Sequence, residues 1–165
     1  MPYIPLVISS LGCVVISFLL SRLEKKSGLV KRVVLKLEFS HSPETVKNLL
    51  ANANEHALNY LRLNTFLDFF FIIGYTSVFI YAAAIVQGNY TLFSSLPAWL
   101  PFVWIVPGAC DCIENIFLLG FLRNEMHENQ FSLYLSVVRV KWILIIPGVL
   151  VALAGIFIAL CKYLF

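Results

Sequence analysis

"AWLPFVWIVPGACDCIENIFLLGFL", Ala98–Leu122, is long and apolar enough to cross a bilayer, yet its second half carries Asp111, Glu114 and Asn115. A helix crosses a hydrocarbon core about 30 Å thick with roughly 20 mainly apolar residues. Three more stretches meet that requirement: Tyr3–Leu20, Leu63–Val86 and Val137–Leu160. The expected fold is therefore all-α: a four-transmembrane-helix bundle forming a single integral membrane domain over residues 1–165. Composition agrees. The chain is 60% hydrophobic and 13% charged, whereas soluble domains run at about 45–50% apolar and 25% charged.

The first stretch, "MPYIPLVISSLGCVVISFLL", has no basic residue before its apolar run; Arg22, Lys25 and Lys26 follow it. A cleaved signal has the opposite order, so a retained span is expected. Orientation follows from Lys and Arg. Eight of the twelve lie between Arg22 and Arg62, and Arg123, Arg139 and Lys141 flank the third loop. The second loop has none. Loops one and three are thus expected in the cytoplasm and both termini outside. The net charge of +3 suits contact with anionic headgroups and requires no nucleic acid.

The cytoplasmic loop, residues 21–62, is the one sizeable polar segment. In "KRVVLKLEFS", Val33, Leu35, Leu37 and Phe39 alternate with Lys36 and Glu38. Period two reads as a short half-buried strand, though a lone strand needs a partner or the membrane surface. In "HSPETVKNLLANANEHALNYLRLN", Ser42 is a helix N-cap, Pro43 the first helical residue and Glu44 a first-turn acid. Val46, Leu49, Leu50, Ala53, Ala57 and Leu61 make an apolar stripe, predicting an amphipathic helix that lies on the membrane or leads into the second span.

Asp111, Glu114 and Asn115 stand at i, i+3 and i+4 and share one helix face. At 1.5 Å per residue, Glu114 lies roughly 12 Å and Asp111 roughly 16 Å inside the cytoplasmic edge, and Asp68 roughly 8 Å inside from the same side. Tyr75 shares a face with Asp68, and Arg139 and Lys141 enter from that side in the fourth span. A mid-membrane charge costs about 2.5–3.5 kcal/mol on insertion scales, so three acids facing lipid would cost as much as a whole domain's stability. They must meet one another, a cavity or a partner. The candidate proton- or ligand-binding set is Asp68, Tyr75, Asp111, Glu114, Asn115, Arg139 and Lys141. The bland alternative is hydrogen-bonded glue holding the helices in register.

Cys110 and Cys112 point to different helix faces; with Cys13 and Cys161 they read as small packing residues. His41, His56 and His127 lack ligand spacing. No metal, cofactor or phosphate loop is expected, and no strand–elbow context frames a catalytic triad. Gly148, Ala152, Gly155 and Ala159 form a small-residue stripe suited to close helix contact, with a span or with another subunit.

"LDFFFIIGY" in the second span, "DCIEN" in the third and "KW" opening the fourth, with "LEFSHSPE" upstream, resemble a set of small bacterial four-span integral membrane proteins of unknown function. The likeness covers roughly residues 35–145 and implies Asp68, Tyr75, Asp111, Glu114, Asn115 and Lys141 as a shared polar set. It implies no activity. The leading expectation is a buried acidic pocket on the cytoplasmic side, binding a proton, cation or small ligand for transport or sensing. The first alternative is an oligomeric pore or accessory subunit, with homo-oligomer or membrane-protein partners. The second, which the absence of a catalytic motif disfavours, is an enzyme acting on a lipid or isoprenoid.

Overall fold

The computed structural model describes residues 3–28, 33–51, 53–89, 95–123 and 128–164, and every element among them is helical. In chain order these are α1 (Tyr3–Lys26), α2 (Val33–Glu38), α3 (Pro43–Leu50), α4 (Glu55–Asn89), a 3₁₀ turn (Leu100–Trp104), α5 (Ile105–Leu122) and α6 (Glu128–Leu164). Four segments are long and apolar enough to cross a membrane: Tyr3–Lys26, Glu55–Asn89, Leu100–Leu122 and Gln130–Lys162. They contain the four predicted spans, except that the third begins at Leu100 rather than Ala98; the second and fourth begin a turn or more earlier than apolarity alone suggested.

α4 is the central helix. It packs against α1, α5 and α6, and α5 packs against α6. Glycines set the closest approaches. A Cβ on Gly155 would meet Ala82 Cβ at 2.6 Å and Ala82 Cα at 2.7 Å, and one on Gly148 would meet Phe79 at 2.7 Å. The small-residue stripe of α6 therefore serves a neighbouring span, α4. Gly74 does the same for α1, where an added Cβ would lie 2.8 Å from Cys13 Sγ. Asn64 adds a polar tie, donating to the Leu20 carbonyl at 2.8 Å. α1 ends where Gly28 takes φ +70°, the left-handed conformation that glycine adopts without strain.

Two apolar cores result. One gathers Val33 and Leu37 of α2, Val46 of α3, Leu61 of α4, Leu118 and Phe121 of α5, and Tyr134 of α6. The other holds Leu6 of α1, Ile72 to Ile85 of α4 and Ala152 of α6. The polar residues of α4, α5 and α6 lie along each helix between the two.

The expected strand is a helix. Val33 and Leu37 are buried while Leu35 and Phe39 are exposed, so the spacing in use is four, not two. A lone strand leaves its backbone groups unpaired, whereas a helix satisfies them internally. Phe39 and Ser40 amides close the last turn onto Leu35 and Leu37 carbonyls, and Ser40 Oγ donates to the Lys36 carbonyl at 2.7 Å. The amphipathic helix after Ser42 forms but is divided. Ser42 accepts from the Thr45 amide at 3.2 Å as N-cap, with Pro43 at the first turn. The helix stops at Leu50, and Asn54 accepts from the Ala57 amide at 2.8 Å to start α4. Two capping residues inside one apolar stripe make two helices.

Overpacking a filled interface costs about 1–3 kcal/mol. Gly155→Ala is expected to lower thermal stability, because the Ala82 Cβ and the α4 backbone beside it cannot give way, while Gly120→Ala, which has open space around it, leaves stability unchanged or raises it. Melting of the two purified variants checks this.

Candidate functional site

The polar layer is built around one lysine. Lys141 of α6 is 2% exposed, and its Nζ lies 2.6 Å from Glu114 Oε2, 3.1 Å from Asp111 Oδ1 and 3.5 Å from Glu38 Oε2. Asp111 and Glu114 come from successive turns of α5, as the i, i+3 spacing predicts, and Glu38 is the last residue of α2. Tyr75 of α4 donates from its hydroxyl to Asp111 Oδ2 at 2.8 Å. Asn115 donates from Nδ2 to Asp68 Oδ2 at 2.8 Å, tying α5 to α4 a turn further along. Gly108 makes the Tyr75–Asp111 contact geometrically accessible: a Cβ there would lie 2.5 Å from Thr76 Oγ1, so α5 approaches α4 closely just before Asp111.

Six of the seven predicted residues are thus brought together: Asp68, Tyr75, Asp111, Glu114, Asn115 and Lys141. Arg139 is not among them. It is exposed, two residues from Lys141 and therefore on another face of α6. Of the two basic residues, Lys141 alone provides the buried cation. Sequence reasoning missed Glu38, which it placed on the polar side of a strand. The available signal was that a lone strand has no partner, whereas a helix over the same residues sets Glu38 beside buried Leu37. Trp142 packs on Phe39 with ring centroids 5.5 Å apart, and lies beside Lys141.

α2 is held on the layer by Tyr134, whose hydroxyl donates to the Leu37 carbonyl at 3.1 Å. Arg62 of α4 reaches the other helix end, donating from Nη2 to the Leu122 carbonyl at 3.1 Å, where a cation complements the C-terminal dipole of α5. Its ion pair with Glu55 at 2.7 Å is solvent-exposed and contributes little.

Electrostatically the layer is unbalanced. It holds four carboxyl groups, Glu38, Asp68, Asp111 and Glu114, and one ammonium. Glu38, Asp111 and Glu114 share the one Lys141 ammonium, so ionising all of them sets like charges against one another, besides several kcal/mol of desolvation per ion. Glu114 is fully buried, and its Oε1 has no hydrogen-bond partner among the described residues. The described residues contain no group of three His, Cys, Asp or Glu side chains able to hold a metal ion. No family model, curated protein or solved structure matches the chain. The site must be read from its own geometry.

Burial pushes the Glu38 carboxyl above the ordinary carboxylate range; Lys141 pulls it down, while Asp111 and Asp68 push it further up. A proton held more tightly in the folded state stabilises the docked α2 in acid, and that contribution is lost as pH rises through the raised value. Amide protection of α2, corrected for intrinsic exchange, is expected to weaken as pH rises from the ordinary carboxylate range toward neutrality. Glu38→Gln should flatten that dependence; hydrogen exchange measured by mass spectrometry checks it.

Proposed function

We propose that this chain is a four-span membrane protein whose buried acid–lysine layer binds and releases protons, and that this titration serves transport or sensing. The observation that carries the reading is Glu114: fully buried, with one carboxyl oxygen on the Lys141 ammonium and the other without a hydrogen-bond partner among the described residues. A carboxyl in that position is balanced most cheaply by a proton, because Lys141 already serves Asp111 and Glu38. A proton also needs no added volume, and the centre of the layer is filled by the lysine itself. That favours a proton over a bulkier cation or organic ligand.

The layer lies toward the end of the bundle where α1 and α5 finish and α4 and α6 begin, the end that carries most of the Lys and Arg residues. The positive-inside rule then supports a cytoplasmic-side site with both termini outside. Tyr75 lies deepest, where α4 continues away from that end, so the hydrogen-bonded set reaches from the loop-side core into the second apolar core.

A second reading, an accessory subunit or oligomer, is favoured by α1. Of its described residues Leu6 is buried, while Val7, Leu11, Val14 and Phe18 are all more than half exposed, a face for lipid or another subunit. The lipid-enzyme alternative gains no comparable support: the apolar groove of about 610 Å³ between α1 and α6 is lined by none of the acids.

The proton reading is tested by infrared difference spectroscopy of the protein in lipid nanodiscs. A neutral carboxylic-acid carbonyl band is expected to be present near neutral pH and lost in Glu114→Gln, with the variant's helix content unchanged. A wild-type protein without that band, or a band that survives Glu114→Gln, overturns the reading.

A further inference from the structure

A recess of about 320 Å³ lies between α2 and α6. Glu38, Phe39, Ser40 and His41 line it from one side, and Val138, Arg139, Trp142 and Ile143 are among the α6 residues lining the other. None of Lys141, Asp111 or Glu114 borders it. Glu38 therefore stands at two boundaries at once: the residue lines the recess, and its Oε2 contacts Lys141 Nζ at 3.5 Å.

Exposure falls along the contacts. Among the three carboxylates around Lys141, the Glu38 side chain is 16% exposed, Asp111 11% and Glu114 1%, and Lys141 itself is 3% exposed. Glu38 Oε2 is buried, has no hydrogen bond among the described residues and faces the Lys141 ammonium. Exposed His41 and Arg139 mark the polar rim.

We propose that this recess is the aqueous entrance to the buried layer, and that Glu38 passes protons from it through the Lys141 ammonium to Glu114. The inference rests on the proton-binding reading of Glu114. In the transfer, hydronium in the recess protonates the Glu38 carboxylate and leaves water behind. Lys141 then gives a proton to Glu114 and regains one from Glu38. The ammonium is restored, no electron moves, and the net change is one proton gained by Glu114. The charged groups bearing on Glu38 are Lys141 from α6, Asp111 and Glu114 from α5 and Asp68 from α4. The polar Asp68–Asn115 pair does not contact Lys141 and is a side branch of the layer.

The test follows the Glu114 carbonyl band, identified by its loss in Glu114→Gln, after a rapid pH drop in nanodiscs. Glu38→Gln is expected to slow the rise of the band about tenfold or more, in keeping with loss of a positioned proton carrier, while its final amplitude stays at the wild-type level. Glu38→Asp should restore most of the rate. Ile143→Trp, which narrows the recess from exposed α6 surface without touching the layer, should slow the band as well and serves if Glu38→Gln does not fold. An unchanged rate in Glu38→Gln or in Ile143→Trp overturns the entrance and leaves the Glu114 reading standing. Loss of amplitude in Glu38→Gln also overturns it, because Glu38 is then part of the store. Absence of the Glu114 band in the wild type removes both proposals together.

Discussion

One buried ammonium organises this molecule. Lys141 stands where α4, α5 and α6 meet, and through it α5 and α2 are joined to α6 by charge as well as by packing. Breaking a buried pair by removing one partner costs about 3–5 kcal/mol, since the remaining charges keep their desolvation penalty. The layer therefore constrains its surroundings. The helices must approach closely enough to exclude water and yet bring three carboxyl groups to one lysine, which is what Gly108 on the α5–α4 contact and Gly148 and Gly155 on the α6–α4 contacts permit.

The neutral donors matter as much as the charges. Tyr75 and Asn115 each donate to one oxygen of an acid, so Asp111 and Asp68 are partly satisfied without further cations. Among the described residues, Glu114 has no such donor on its free oxygen. Differences of this kind divide a set of chemically similar acids into structural and titrating members. The two apolar cores lie on either side of this set. α2 and α3, contributed by the first loop, close the loop-side core and bring Glu38 with them.

The sequence made much of this legible, and the limits have physical causes. The spans follow from length and apolarity, which depend little on packing. The α5 face follows from helical period, so Asp111, Glu114 and Asn115 were placed together, and depth along each span pointed to Asp68 and Lys141. Arg139 and Lys141, two residues apart, look alike in a linear reading; only the rotation of α6 against its neighbours separates an exposed guanidinium from a buried ammonium. Glu38 was hidden because "VVLKLE" satisfies period two and period four equally at Val33 and Leu37, and tertiary burial chose between them. The helix break before Asn54 was also readable in principle, from its capping side chain, but an unbroken apolar stripe argued for continuity.

The central claim is that the folded chain keeps protons on buried carboxyls that water would ionise. The most direct measurement is the number of protons released when the folded protein, in detergent, is unfolded at constant pH just above the histidine range. Release of one or more protons per chain, reduced in Glu114→Gln, is the expected result. No release, or uptake instead, would contradict the account, because the four acids would then already be ionised around Lys141 in the folded state.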